Sequence, residues 1–259
     1  MSHSGTRKRA GWLVLGLCLF LWECGSRVSP HLQLYLPPVS QVMVALSHVV
    51  LSGQATAHLV TTVRRCLEGY LLAVALAVTV GVALGYFRFA HSLVEILIEF
   101  LRPMPSVAII PVAILLLGIG DVMIVAVTVY ACTWPILVQT IDGVRYIERT
   151  LIDTGRTLGL ARWRTLWQIV MPAASPHIVT GLRVSLAIAL ILVTTAEMLV
   201  GSQGLGFFIL DEERSLRNDN MYAGIMLVAA LGYLLNRLFV AFEAKAMQWR
   251  HGMVAREAV

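Results

Sequence analysis

The chain has 259 residues, of which 58% are hydrophobic and only 14% are charged, and its mean hydropathy is +0.78. Soluble domains carry about 25% charged residues, so this composition excludes an ordinary soluble protein and indicates an all-α, polytopic membrane protein. The formal net charge of +5 does not indicate nucleic-acid binding, because the basic residues flank apolar segments and do not cluster on a soluble domain.

Six apolar segments are long enough to cross a bilayer, which takes about 20 residues. They lie at about 10–28, 62–87, 93–117, 122–141, 177–200 and 221–242. The first follows Arg7, Lys8 and Arg9 and so resembles a signal peptide. Because no small-residue cleavage site follows it, we predict an uncleaved first span.

The positions of the basic residues predict that both termini are cytoplasmic. With this orientation, only Arg214 and Arg217 fall in outer loops. Arg64 and Arg65, at the outer start of the second span, are exceptions that could extend to the membrane interface. The inner segments hold Arg7, Lys8, Arg9, Arg88, Arg145, Arg149, Arg156, Arg162, Arg164, Lys245, Arg250 and Arg256.

A polar and basic segment, DTGRTLGLARWRTLWQIVMP, occupies residues 153–172 between the fourth and fifth spans. Gly159 divides it at a point where a helix end favours positive φ, and Pro172 is expected to end the second helix. An amphipathic helix pair on the cytoplasmic side suits docking of a soluble partner. Its two apolar stripes are Ile147, Leu151, Thr154 and Leu158, then Trp163, Leu166, Trp167 and Val170.

Sequence motifs for catalysis and metal binding are absent from the chain. The four cysteines form no CxxC pair, so neither a zinc site nor a disulfide framework is predicted. No G-x-x-x-x-G-K-[ST] phosphate loop occurs, and no cluster of His, Asp or Glu lies within the spans. We therefore predict a transport subunit that binds no cofactor itself, and not a membrane-embedded enzyme.

The 153–172 segment resembles the signature of permease subunits of bacterial ATP-binding-cassette (ABC) importers. That signature reads E-A-A, three residues, G, nine residues, then I-x-L-P. Here the same spacing gives Asp153-Thr154-Gly155, then Gly159, then Ile169-Val170-Met171-Pro172. The glycine and the proline match, whereas the first triplet departs from the pattern in all three positions.

Five further stretches are similar to one branch of these importers, the nitrate, sulfonate and taurine permeases. They occur in order along the chain, from residue 36 to residue 225. They are LPPVSQV (36–42), LRPMPSVAIIPVAILLLGIGD (101–121), TIDGVRYIERTLIDTGRTLGLARWR (140–164), TGLRVSL (180–186) and GSQGLGFFILDEERSLRNDNMYAGI (201–225).

The resemblance implies a type I importer fold (MetI-like) with six transmembrane helices in a bacterial inner membrane. It implies an N-terminal tail and first helix at 1–35, a periplasmic segment at 36–58, and a permease core at 59–242. The core contains a cytoplasmic coupling loop at 142–176, and a cytoplasmic tail occupies 243–259. The implied partners are a dimer of cytoplasmic ABC ATPases that binds ATP and Mg, a periplasmic or lipid-anchored solute-binding protein, a second permease copy and membrane lipid.

The same resemblance assigns ATPase coupling to seven residues of the loop. Each arginine among them either pairs with acidic residues of the ATPase or only sets the topology. The triplet Asp153-Thr154-Gly155 lowers helix propensity relative to alanine, and packing against a partner can offset this loss. The seven are Asp153, Arg156, Gly159, Arg162, Trp163, Ile169 and Pro172.

Ionisable residues inside spans are candidates for the translocation path. Arg102 precedes Pro103 and Pro105, where a helix is expected to bend, and it either attracts an anion or pairs with Glu95 or Glu99.

Three more residues are weaker candidates for the path. Met104 and Ser106 are expected to line the same bend as Arg102. Glu197 is either a path residue or a buried structural group, and the structural role is favoured, because a carboxylate is a poor ligand for an anion.

The predicted solute is a small oxyanion or a sulfonate-like compound such as nitrate, an alkanesulfonate or taurine. The alternative solute for the same type of permease is an uncharged or aromatic or heterocyclic nutrient. A stand-alone channel or secondary carrier is a further alternative, but it leaves the basic coupling loop without a role.

Overall fold

Helices account for nearly all of the chain that the computed structural model describes, which is residues 3–247. No strand is found between these limits. The predicted tail at 243–259, with Arg250 and Arg256, lies outside the described residues from position 248 onward. The helices are α1 (His3–Ser26), α2 (Pro30–Tyr35), α3 (Val39–Leu51), α4 (Gln54–Tyr86), α5 (Arg88–Leu101), α6 (Ile110–Leu117), α7 (Asp121–Arg145), α8 (Arg149–Thr157), α9 (Arg162–Thr165), α10 (Met171–Val200), α11 (Leu205–Arg214) and α12 (Asn218–Ala246).

Within residues 3–247, five helical stretches are long and apolar enough to cross a membrane, and a bent pair brings the number to six. The apolar part of α1, Gly16–Ser26, is shorter than a bilayer crossing. The stretch His31–Leu51, predicted as a periplasmic segment, is long enough by length and composition. The other straight candidates are Gln54–Tyr86, Asp121–Arg145, Arg162–Val200 and Asn218–Lys245.

The third predicted span is a broken helix. Its two halves, α5 and Ser106–Leu117, meet at 89°, and Ser106–Ile109 forms a 3₁₀ turn before α6. Pro103 and Pro105 cause the break, since proline has no N–H for the helical ladder. At the break, the carbonyl of Leu101 accepts hydrogen bonds from the Met104 N–H at 3.2 Å and from the Tyr130 hydroxyl at 3.1 Å, so this carbonyl at the end of α5 is satisfied.

The second arm of the coupling loop continues directly into the fifth span. Arg162–Val200 forms one helical stretch of 39 residues, so the prediction that Pro172 ends this helix is wrong. A π turn at Leu166–Val170 precedes the proline, and the Met171 N–H donates to the carbonyl of Leu166, five residues back. Because the hydrogen-bond spacing has already widened there, Pro172 fits at the start of α10 without ending the helix.

The core of the bundle is α7, which packs between α4 and α10. Small residues at four-residue spacing line the contact face of α4, and they let the two backbones approach closely. A Cβ added at Gly81 would lie 2.7 Å from the Cβ of Thr140. The small residues are Gly69, Ala73, Ala77, Gly81 and Gly85, all of them buried.

Replacing Gly81 by alanine should destabilise the bundle by about 1–3 kcal/mol, the usual cost of overpacking. The added methyl group meets Thr140 and the carbonyl of Leu137 at 3.2 Å, so the helices must move apart. Unfolding of the detergent-solubilised protein measures the change. Gly16→Ala is the control, because nothing lies within 4 Å of its added Cβ, and equal stability of the two variants would contradict the close packing.

Candidate functional site

The first half of the coupling loop ends in a left-handed turn at Gly159, whose φ is +68°. The Leu160 N–H donates to the carbonyl of Gly155 at 3.0 Å, and the Gly159 N–H donates to that of Arg156 at 3.0 Å. These two bonds form a Schellman motif, which satisfies the free carbonyls at the end of a helix. The conformation that the sequence predicted for Gly159 is therefore present.

Large apolar side chains on both sides of this turn are exposed. Leu158 is 71% exposed and Trp163 is 68% exposed, and Leu151 and Trp167 are exposed as well. The rings of Trp163 and Trp167 pack edge to face with centroids 5.7 Å apart. We call Leu151, Leu158, Trp163 and Trp167 the apolar loop surface. Exposed apolar groups in this number on a polar loop mark an interaction surface.

Gly155 brings α8 into contact with the second arm of the loop. It is buried, and a Cβ there would lie 2.7 Å from Cδ1 of Ile169. Ile169 therefore fills the space that the alanine of the family signature would occupy. The departure at this position is matched by a contact within the chain.

Asp153 and Arg156 form an exposed ion pair on α8, with 3.2 Å between Oδ1 and Nη1. Exposed pairs of this kind contribute about 0–1 kcal/mol, so both side chains remain available to a partner.

A large cavity separates the coupling loop from the ends of α4 and α7. Its volume is about 1260 Å³. Arg162 lies on the wall of this cavity, and the wall carries charges of both signs. The charged residues that line it are Arg88, Arg145, Arg156, Arg162, Glu95, Asp142 and Asp153.

A second, smaller cavity of about 380 Å³ lies at the break of the third span. Arg102 and Ser106 line it, whereas Met104 is exposed and lies outside its wall. Neither Glu95 nor Glu99 pairs with Arg102 among residues 3–247, and Glu95 lies 3.6 Å from His91 instead. The remaining lining residues are Ala131, Trp134, Pro135, Val138, Gln139, Val184 and Ile188.

A buried ionic network holds Glu197 at the end of the bundle opposite the coupling loop. Glu197 is fully buried, and its Oε1 lies 3.0 Å from Nη1 of Arg65. The Arg65 side chain, only 5% exposed, also donates from Nε to Asp121 at 3.0 Å. Arg64 forms a second ion pair with Asp121. Arg65 therefore pairs with one fully buried carboxylate, that of Glu197, and with the partly exposed carboxylate of Asp121, and neither partner was predicted from the sequence.

The loop between α10 and α11 closes over this network. The second carboxylate oxygen of Glu197 accepts hydrogen bonds from Thr62 Oγ1 at 2.8 Å and from the Gly206 N–H at 3.1 Å. A Cβ at Gly204 would lie 2.1 Å from Cδ of Glu197, so only glycine fits there. Glu197 thus has hydrogen-bond or ion-pair partners on both of its carboxylate oxygens.

Residues 71–248 match the family described as "Binding-protein-dependent transport system inner membrane component". The chain belongs to this family. The match spans more than half of the chain and includes the coupling loop, both cavities and Glu197. The chain is thus the membrane permease subunit of an ABC importer, a transport component and not an enzyme.

The permease has relatives in other organisms, and two of the three described below have a substrate in their names. A putative ABC transporter permease of Methanocaldococcus jannaschii is 34% identical over 242 residues, which cover 92% of this chain and 90% of that protein. The putative aliphatic sulfonates permease SsuC of Bacillus subtilis is 26% identical, and the match covers 95% of this chain and 90% of SsuC. The taurine permease TauC of Escherichia coli is 27% identical, and the match covers 93% of this chain and 89% of TauC.

The permease also shares its fold with solved transporters. An inward-facing form of the MetNI methionine ABC transporter superposes with a TM-score of 0.61 at 18% identity. The superposition covers 70% of the permease and 91% of that chain. The predicted fold class, a helical type I importer subunit, is confirmed.

Replacing Gly155 of the permease by alanine should leave transport within about twofold of normal. The methyl group lies close only to the flexible end of Ile169 and meets Thr165 at the ordinary contact distance of 3.6 Å, and alanine raises helix propensity by roughly 0.8–1.0 kcal/mol. ATP-driven uptake into proteoliposomes measures the effect. Gly155→Leu is the comparison, because its larger side chain must displace Ile169 and separate the two arms, and uptake should fall at least tenfold. Equal uptake by both variants would contradict the contact.

Proposed function

We propose that this permease imports a small oxyanion or sulfonate-like solute, such as nitrate, an alkanesulfonate or taurine. Arg102 carries the proposal. Its side chain lines a cavity at the break of the third span, and none of the residues that line this cavity is acidic. An unpaired arginine at membrane depth must face water, protein or a ligand and not lipid. The sulfonate and taurine names of two relatives support the same class.

In this proposal, ATP hydrolysis by a partner ATPase drives transport, and the coupling loop transmits the movement of the ATPase to the membrane helices. With both termini in the cytoplasm, the apolar loop surface faces a cytoplasmic ABC ATPase, which binds ATP and Mg. Trp163 inserts into the ATPase, Gly159 lets the turn approach it, and Ile169 joins the two arms. Asp153, Arg156 and Arg162 provide charged contacts, and Pro172 lies where the loop enters the fifth span.

The remaining partners follow from the same proposal. A second copy of the permease completes the path, so Arg102 and Ser106 of each copy face the shared space, and Met104 lies beside them. A periplasmic or lipid-anchored binding protein delivers the solute at the end of the bundle that holds Glu197. The bacterial inner membrane surrounds the assembly.

Uptake by the reconstituted assembly tests the proposal. Proteoliposomes that contain the permease, its ATPase and its binding protein should accumulate radiolabelled taurine or ethanesulfonate when ATP is supplied to the ATPase side. Arg102→Gln should reduce this uptake at least tenfold, whereas Arg237→Gln, on α12, should not. ATP-driven accumulation of only an uncharged aromatic or heterocyclic nutrient would overturn the solute class. Uptake that persists without the ATPase would overturn the claim that ATP hydrolysis drives transport.

A further inference from the structure

The cavity at the break of the third span has four polar side chains on its wall and no carboxylate. They are Arg102, Ser106, Trp134 and Gln139. None of the four side chains forms a hydrogen bond with any other residue in the range 3–247. Guanidinium, indole and hydroxyl groups are all hydrogen-bond donors, and an amide donates through its NH₂. The wall is thus able to bind an anion from several sides.

Trp134 provides the most specific sign of a missing ligand. Its Nε1 is buried and has no hydrogen-bond partner, the one such side-chain atom found within residues 3–247. Leaving a buried N–H without an acceptor costs free energy, and tryptophan nitrogens in protein interiors usually have a partner. Trp134 lines the cavity, so an acceptor bound there that reaches Nε1 would remove this cost.

The neighbouring residues hold Trp134 and the break in place. Tyr130 packs edge to face on Trp134, with 5.4 Å between ring centroids. The Tyr130 hydroxyl binds the carbonyl of Leu101, the residue directly before Arg102. The Tyr130–Trp134 pair therefore links the indole to the backbone beside Arg102.

The cavity lies beside the middle parts of two membrane-length helices. Trp134 and Gln139 are near the middle of α7, and Val184 and Ile188 are near the middle of α10. Non-helical backbone at membrane depth is tolerated where it is buried or lines a water-filled space, and residues 102–105 are non-helical there. Broken helices near the midplane also form solute sites in other transporters.

The other half of the wall is aliphatic. Pro135, Val138, Val184 and Ile188 line the cavity on this side. The volume of about 380 Å³ equals that of about a dozen water molecules, so a bare inorganic anion would fill only a small part. An anionic head of a few atoms that carries a short apolar tail fits both halves.

We propose that this cavity is a binding site of the permease itself for a small organic anion with a short aliphatic tail, the chemistry of a C2–C4 alkanesulfonate. Arg102 and the Trp134 N–H bind the anionic head, together with Gln139 and Ser106. Val138, Val184 and Ile188 contact the tail. The site rests on the proposed solute class and deepens it, because it places part of the selectivity in the permease and not only in a binding protein.

Equilibrium binding without the binding protein tests the site. The purified permease–ATPase complex in nanodiscs is titrated with butanesulfonate, ethanesulfonate, nitrate and butylammonium. Butanesulfonate should bind saturably and about tenfold more tightly than ethanesulfonate, since each buried CH₂ contributes about 0.8 kcal/mol. Nitrate should bind more weakly than either sulfonate, and butylammonium should not bind.

Three variants test whether the residues that line the cavity bind butanesulfonate. Trp134→Phe keeps the ring and removes only the N–H, and it should weaken butanesulfonate binding about tenfold. Gln139→Leu and Arg102→Gln should weaken it at least as much. Arg237→Gln is the matched control outside the cavity and should bind normally. Copurification with the ATPase and an unchanged melting temperature show that each variant is folded.

Separate outcomes distinguish this site from the proposed function. No saturable butanesulfonate binding by the wild-type complex overturns the site, as does normal binding by both Trp134→Phe and Arg102→Gln. Equal binding of butylammonium overturns it too. If the variants lose binding while the complete assembly fails to take up any sulfonate, the site stands and the proposed transport function is wrong.

Discussion

Replacing Gly159 by aspartate or arginine should abolish ATP-driven uptake while the permease still inserts into the membrane and folds. Nothing of the described chain lies within 4 Å of a Cβ added there. The variant chain therefore suffers only the strain of a positive φ, about 1–2 kcal/mol. The new charge stands between Leu158 and Trp163 on the apolar loop surface, where an ATPase would have to desolvate it. Uptake and ATPase copurification measure the loss.

A second glycine of the permease provides the control. Gly53 has φ +76° and also has nothing within 4 Å of an added Cβ, but it precedes α4 at the opposite end of the bundle. Gly53→Asp should suffer the same backbone strain and retain ATP-driven uptake within about twofold. Normal uptake by Gly159→Asp, or equal losses in both variants, would show that the turn at Gly159 is not the docking point.

Replacing Glu197 by alanine should destabilise the permease by about 3–5 kcal/mol, the usual result of removing one partner of a buried ion pair. The substitution leaves Nη1 of Arg65 without its carboxylate and removes the acceptor of Thr62 and Gly206. Asp121 still binds Arg65, which places the expected loss toward the lower end of this range. Thermal unfolding of the detergent-solubilised permease measures it.

Glu213→Ala is the matched control, because Glu213 is an exposed carboxylate on α11, and its loss should change stability by less than about 0.5 kcal/mol. The double variant Arg65→Gln with Glu197→Gln should lose less than the sum of its single changes, by about 0.5–3 kcal/mol. Additive losses would mean that the two side chains do not form the pair described above.

Local chemistry made parts of the fold predictable from the sequence. Positive φ at Gly159 follows from its place at a helix end, where the neighbours in the chain decide the conformation. The bend at Arg102 follows from two nearby prolines. The core spans follow from unbroken apolar runs, since few other structures bury so much apolar surface. Each of these features depends on residues within a few positions of one another.

Features that depend on distant residues were missed or misjudged. Arg65 looked like an exception to the charge pattern because its partners Asp121 and Glu197 are more than fifty residues away in the chain. Two signals in the sequence point to this pair. Glu197 is a carboxylate within the fifth span and requires a cation, and Arg65 lies where the charge pattern does not expect an arginine. Together they predict the ion pair. Pro172 misled because a π turn, which no local residue pattern announces, changes the hydrogen bonding before it.

The helical stretch Arg162–Val200 gives the permease a lever arm. At about 1.5 Å per residue, its 39 residues extend for nearly 60 Å, and about 50 Å of this length separates Trp163 on the apolar loop surface from Glu197. If the stretch moves as one body about its middle, a tilt of about 10° displaces each end by roughly 5 Å, in opposite directions. An ATPase that draws the loop toward the axis of the bundle would thereby move the Arg65 network away from that axis, and one motion would then open one side of the membrane and close the other.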